Sequence, residues 1–182
     1  MKLILAALFI CCATAAFSQS SSLTVVMIRH GEKNDSTGNL SCQGFNRSLL
    51  LVDTLPKRFT RPSHVYVPTV SKGKMTNHAR MFQTITPYAV KYNLKLDSNY
   101  PESADSALAK DILTKTGVVL VVWEHTNIPG IAKYLGVKGK HDWHGKDFDS
   151  IWIVTFTKLN GKWIANLDTK QKEGITPPAT CN

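Results

Sequence analysis

Leu23-Thr24-Val25-Val26-Met27-Ile28, running straight into Arg29-His30-Gly31-Glu32-Lys33, is the stretch that decides the fold. A short, almost wholly apolar run rich in β-branched residues is what a strand covered on both faces of a parallel sheet requires. Ligands of open α/β sheets bind beyond the carboxyl ends of such strands, which is where this run delivers an arginine and a histidine together. Residues 117–122, Gly-Val-Val-Leu-Val-Val, form a second run of the same kind, and His125 follows it closely. Two central strands are therefore expected, each presenting a histidine at the same sheet edge.

Working outward, the remaining pattern alternates helix and strand. Ser41 suits the amino cap of a helix reaching about Thr54, with Leu49, Leu50, Val52 and Leu55 expected on its buried side. Residues 64–67 read as a short strand, 78–92 as an amphipathic helix, 93–97 as an edge strand, 103–116 as a helix and 128–135 as another. The expected architecture is a three-layer α/β fold, a mostly parallel, doubly wound sheet with helices on both faces. Residues 150–158 and 162–168 alternate apolar and polar around Asn160-Gly161, which predicts an antiparallel hairpin on one sheet edge. Its Trp152, Phe156 and Trp163 are expected to pack in the core or across strands. The tail from Gly174, with Pro177 and Pro178, is expected to be extended or mobile.

The pairing of Arg29 with His30 makes chemical sense if the target is a phosphate. A guanidinium offers two parallel donors to phosphate oxygens, and a neutral imidazole can attack phosphorus through a ring nitrogen. Neighbouring guanidinium charge favours that neutral form. Gly31 permits a sharp exit from the strand and close approach of a ligand to the backbone. Arg80, in His78-Ala79-Arg80-Met81-Phe82-Gln83-Thr84, lies near a predicted helix amino terminus, where backbone donors also favour anions.

These segments resemble the motifs of the histidine phosphatase superfamily, the phosphoglycerate-mutase-like phosphatases. The resemblance rests on Arg29-His30-Gly31, on Arg80-Met81-Phe82-Gln83-Thr84 and on Glu124-His125-Thr126-Asn127-Ile128-Pro129, in that order. Leu40-Ser41-Cys42-Gln43-Gly44 is similar to the segment that starts the family's first long helix, and the likeness spans about residues 25–135. It implies that His30 becomes phosphohistidine, that Arg29 and Arg80 clamp the phosphoryl oxygens and that His125 donates to the same oxygens, with no metal and no cofactor. Gly31, Glu32 and Lys33 are expected to complete the substrate-binding segment. Lys33, Lys72 and Lys74 either guide anionic substrate or serve surface solubility.

The resemblance also calls for a general acid. Relatives resembling phytases carry it directly after the second histidine, where Thr126 stands here; small phosphatases take a glutamate after the third strand, which points to Glu102. Asp105 is the second candidate, and Glu32 and Glu124 lie close enough to the histidines to be considered. A helix-start role would account for Glu102 equally simply.

Lys2, an apolar core over residues 3–12 and the small residues Ala13, Thr14, Ala15 and Ala16 read as a secretory signal over 1–20, cleaved near 15–20, leaving one domain over 21–182. A secreted or periplasmic protein without stable membrane insertion is expected, with lipoprotein anchoring through Cys11 or Cys12 as the lesser alternative. Cys42 and Cys181 remain after cleavage and are free either to pair or to stay separate thiols. The formal charge of +9 favours anionic substrates, yet no basic helix or aromatic-basic platform points to specific nucleic-acid binding.

His141, Asp142, His144, Asp147 and Asp149 invite a zinc hypothesis, but their spacing matches no defined metal motif. Two readings stand ahead of it with equal weight: a loop that borders the site and reads the leaving group, with Trp143 as its apolar contact, or a solvated loop with no role. The expected function is an exported, metal-independent phosphatase acting on a small phosphorylated substrate. Alternatives are a phosphoglycerate-type mutase, a protein phosphohistidine phosphatase and a catalytically silent phosphate-binding module of the same fold. The oligomeric state is not legible.

Overall fold

Val25, Val26, Met27 and Ile28 are fully buried in the computed structural model, which describes residues 22–71 and 78–181. They belong to strand β1 (Leu23–Arg29), which lies between β4 (Gly117–Trp123) and β5 (Ser150–Leu159). Strands β2 (His64–Tyr66) and β3 (Leu96–Asp97) extend the sheet beyond β4, and β6 (Lys162–Lys172) extends it beyond β5. The six-stranded order is β3-β2-β4-β1-β5-β6. The first four are mutually parallel, and the β5-β6 hairpin joins β1 in antiparallel sense.

Alternate residues of the central strands face opposite cores, so each strand has to be apolar throughout. Val25, Met27, Val119, Val121 and Trp123 pack with Leu108, Ile112, Ile128 and Ile131, from helices α3 (Asp105–Ile112) and α4 (Ile128–Tyr134). Val26, Ile28, Leu120 and Val122 pack on the other face with Leu51, Met81, Ile85 and Tyr88, from α1 (Cys42–Thr54) and α2 (Ala79–Tyr92). Helices therefore cover both faces, as the alternation predicts. Ser41 caps α1 by accepting from Gly44 N at 3.2 Å, and Asn160 and Gly161 take the positive φ angles of the tight hairpin turn.

Two expectations are corrected, the buried side of α1 and the mobility of the tail. On α1 the buried side is Gly44, Arg47, Ser48, Leu51 and Leu55, while Leu49 and Leu50 are 47 % and 41 % exposed. An internal arginine sits on the face that packs inward, so apolar residues alone misplace the helix phase. Trp152 is buried and Trp163, though 62 % exposed, packs across the strands under Lys158 Nζ at 5.9 Å, on the part of the hairpin that overhangs β1, whose pairing to β5 ends at Thr24 and Thr155. Finally, the tail is fastened rather than loose. A Cys42–Cys181 disulfide ties it to the first turn of α1, Asn46 Nδ2 donates to the carbonyls of Pro178 and Thr180, and Glu173 is fully buried. The expected leader and both Lys72 and Lys74 lie outside the described residues.

Candidate functional site

Register places the site. β1 and β4 pair from Leu23–Gly117 to Arg29–Trp123, so the chain leaves the sheet with His30 level with Glu124, and His30 N donates to Trp123 O at 3.2 Å. His30 is buried, with Nδ1 2.6 Å from the Gly31 carbonyl. A carbonyl can only accept, so Nδ1 carries the hydrogen and Nε2 is the nitrogen turned to the cluster. Arg80, in the first turn of α2, brings Nε to 3.1 Å from that Nε2 and donates from Nη2 to Glu124 Oε2 at 2.5 Å.

Glu124 is the hub. Its Oε2 lies 3.0 Å from His30 Nε2, and its Oε1 is bonded to both the backbone N (3.1 Å) and Nδ1 of His125. Burial by itself would raise this carboxyl, but hydrogen bonds from His30, Arg80 and His125 outweigh it and hold the group well below the usual carboxylate range. One anionic group is thus shared by both histidines and Arg80.

Arg29 is held against the loop that follows α4. Its Nη1 donates to Gly145 O at 2.6 Å and its guanidinium lies 3.8 Å over the Phe148 ring, while Nε is buried with no partner among the described residues. Burial lowers the pKa of Arg29, and Arg80 adds to that effect whereas Glu124 opposes it. The same loop closes on His125, since a Cβ at Gly145 would stand 3.5 Å from His125 Nε2. Phe148 meets the His30 ring edge-on, centroids 6.1 Å apart.

The sequence matches no family model and no curated protein sequence, but solved structures share the architecture. The protein histidine phosphatase SixA complexed with tungstate superposes with a TM-score of 0.54 at 17 % identity, covering 80 % of this chain and 96 % of that one. A mycobacterial glucosyl-3-phosphoglycerate phosphatase with inorganic phosphate gives 0.55 at 15 % identity, with 80 % and 95 % covered. The putative phosphohistidine phosphatase SixA from Agrobacterium tumefaciens gives 0.51 at 13 % identity, with 80 % and 97 % covered. The fold is that of the histidine phosphatases.

Within this fold the chain's other motif residues serve as scaffold. Thr84 Oγ1 accepts from Gly31 N at 2.9 Å, and Gln83 holds Leu40 N and Asn39, so the residues after Arg80 brace the segment after His30. Gly31 therefore has its N–H already engaged. Gly44 is needed because α1 starts against the backbone of Glu32: a Cβ there would meet Glu32 O at 2.2 Å.

Glu32 turns away from the cluster. Its carboxylate is held by Arg47 through Nη2 at 2.8 Å and Nε at 3.0 Å, and Arg47 also binds Glu173. Lys33 is exposed, 3.6 Å from Asp35. Glu102 stands between the end of β4 and the start of α2: its carbonyl accepts from Trp123 Nε1 at 2.9 Å and its carboxylate bonds His78, two residues before Arg80. Asp105 instead faces α4, accepting from Asn127 at 3.2 Å and packing against Gly130; its pKa is raised, chiefly by burial.

Trp143 does not face the site. It is buried and stacks on Trp152 with centroids 5.0 Å apart, donating to Asp147 O at 2.8 Å. Phe148 is the loop's aromatic contact with the cluster. Asp147 accepts from the N–H groups of Asp149 and Ser150 and from Lys172, and Asp149 accepts from Gly174 N at 2.8 Å. His141 contacts Lys138 O at 2.9 Å. Among the described residues no three His, Cys, Asp or Glu side chains are placed to hold a metal ion, and no helix is long and apolar enough to cross a membrane. The contributions of Gly145, Phe148, Thr84 and Arg47 leave no mark in local periodicity, because each joins segments far apart in sequence.

Proposed function

We propose that the chain is a phosphomonoesterase that passes a phosphoryl group through His30. The supporting observation is that a single carboxylate is held jointly by Arg80, His30 and His125, so these side chains are already arranged around one oxyanion. Phosphoryl transfer asks for little beyond positioning and charge stabilisation, which two guanidinium groups and two imidazoles supply.

In this reading His30 Nε2 attacks phosphorus while Nδ1–H stays on the Gly31 carbonyl, which fixes the ring and stabilises the charge it gains. The phosphorus–ester oxygen bond breaks, and Glu102 protonates the departing oxygen. Arg29, Arg80 and His125 hold the three phosphoryl oxygens, and Arg29 Nε is a donor still to be satisfied. Water then attacks the phosphohistidine and releases inorganic phosphate. Small phosphorylated substrates are the class this pocket suits. The disulfide supports a working compartment outside the reducing cytosol, secreted or periplasmic, the same compartment that a leader read from residues 1–20 would give.

Hydrolysis of para-nitrophenyl phosphate by the mature chain, with and without chelator, tests the reading. Activity is expected to survive the chelator, to vanish in His30→Ala and to yield an acid-labile, alkali-stable phosphoenzyme in the wild type. Turnover retained by His30→Ala excludes the proposed nucleophile.

A further inference from the structure

We propose that Glu124 is a resident counter-anion of the phosphoryl pocket, which competes with inorganic phosphate for Arg80, His30 and His125 and keeps the free anion weakly bound. The inference rests on the phosphatase reading above and adds to it the residue that sets how readily the pocket empties.

The geometry forces a choice between the two anions. A reacting phosphorus has to come within about 3–3.5 Å of the attacking nitrogen. Glu124 Oε2 already occupies that shell, 3.0 Å from His30 Nε2, and it takes the Nη2 donor of Arg80 as well. With Nδ1–H of His30 committed to Gly31 O, Nε2 is the nitrogen left to attack; Arg80 Nε stands 3.1 Å from it and Glu124 Oε2 3.0 Å from it, so the carboxylate occupies the space a phosphorus would have to enter. Glu124 at rest therefore masks the nucleophile as well as filling the pocket.

Only the side chain can yield. The Glu124 carbonyl accepts from Asn127 N at 3.0 Å and Ile128 N at 3.2 Å, and the preceding residue, Trp123, is paired to Arg29 across the sheet. Rotation about the side-chain bonds would carry the carboxylate out and leave the backbone donor of His125 in place. A phosphomonoester dianion offers more charge to the same donors than one carboxylate does, and its leaving group adds contacts at the rim. Inorganic phosphate has only the donors. After hydrolysis the tethered carboxylate, present at high effective concentration, reclaims them and expels the product.

Titration calorimetry of inorganic phosphate into the mature chain tests this, comparing wild type with Glu124→Gln, Glu124→Ala and Arg80→Ala, each checked for a wild-type-like thermal transition. Phosphate is expected to bind at least tenfold more tightly to both Glu124 variants, with the product-inhibition constant in aryl phosphate hydrolysis falling by the same factor, and to be lost in Arg80→Ala. Phosphate binding that depends on Arg80 but is unchanged or weaker in both Glu124 variants overturns the inference and leaves the phosphatase reading standing. A general-acid role would show instead as a fall in kcat confined to poor leaving groups with no gain in phosphate affinity, which also overturns it. Phosphate binding to none of the four proteins, together with absent hydrolysis, removes both proposals.

Discussion

Gly44→Ala is expected to damage the site through backbone contact alone. Its Cβ would stand 2.2 Å from Glu32 O and 2.8 Å from Glu32 N, whereas real Cβ atoms essentially never approach closer than 3.0 Å. The start of α1 and the segment after His30 must therefore separate by roughly 0.8 Å, the difference between those limits. Neither side gives easily. Ser41 N donates to Glu32 O at 2.8 Å, and Arg47, one turn along α1, grips the Glu32 carboxylate, so the separation strains the contacts that seat the helix. Overpacking of this kind costs about 1–3 kcal/mol. For a chain of this size about 2 kcal/mol lowers Tm by roughly 4–8 °C. Because Glu32 is two residues from His30, a shift near 1 Å at the reacting nitrogen is expected to lower kcat by about a hundredfold. Thermal denaturation and aryl phosphate kinetics on the same preparation measure both effects. A variant with wild-type Tm and wild-type kcat refutes the reasoning, because it would mean that the close approach of α1 to the His30 segment carries no constraint.

Arg29→Lys keeps the charge but cannot both stack on Phe148 and donate to Gly145 O, so kcat/KM for aryl phosphates is expected to fall a hundredfold or more; an unchanged value argues against a clamping role for Arg29. Replacing Cys42 and Cys181 together by serine opens a cross-link of 139 residues' separation and is expected to lower unfolding free energy by up to about 5 kcal/mol, with urea midpoints insensitive to reductant only in the variant. Glu173 is pushed up to about 8, chiefly by burial, which outweighs an Arg47 whose charge is already shared with Glu32. The folded chain then keeps a proton that the unfolded chain releases above about pH 4.5, so this residue makes stability fall as pH rises from there through about 8. Glu173→Gln is expected to flatten that slope, read as a stability gain over wild type that is larger at pH 8 than at pH 5.5; a gain that shrinks with pH contradicts the assignment.

The parts of this protein written in local pattern were legible without coordinates. Apolar runs over 23–28 and 117–122 mark the two central strands, because a strand buried on both faces has no polar face to show. Asn160-Gly161 marks the hairpin, because few other pairs accept its backbone angles, and Ser41 marks the helix start through its hydroxyl. Strand ends carrying Arg29, His30 and His125 follow from those runs, which is why most of the cluster could be named in advance.

Tertiary structure alone decided what the charged side chains do. Nothing in the pattern around Arg47 points inward, yet it is buried between Glu32 and Glu173; Glu124 is one candidate acid among four in the sequence and is the group on which His30, Arg80 and His125 meet. Arg29 depends on Gly145, 116 residues away, and the tail on Cys42 at the other end of the chain. Periodicity reports which side of an element is apolar, since that is a property of neighbours in sequence. The partner of a buried charge is settled by desolvation, which no charged group survives alone in the interior, and so by whichever opposite charge the packed fold brings within reach.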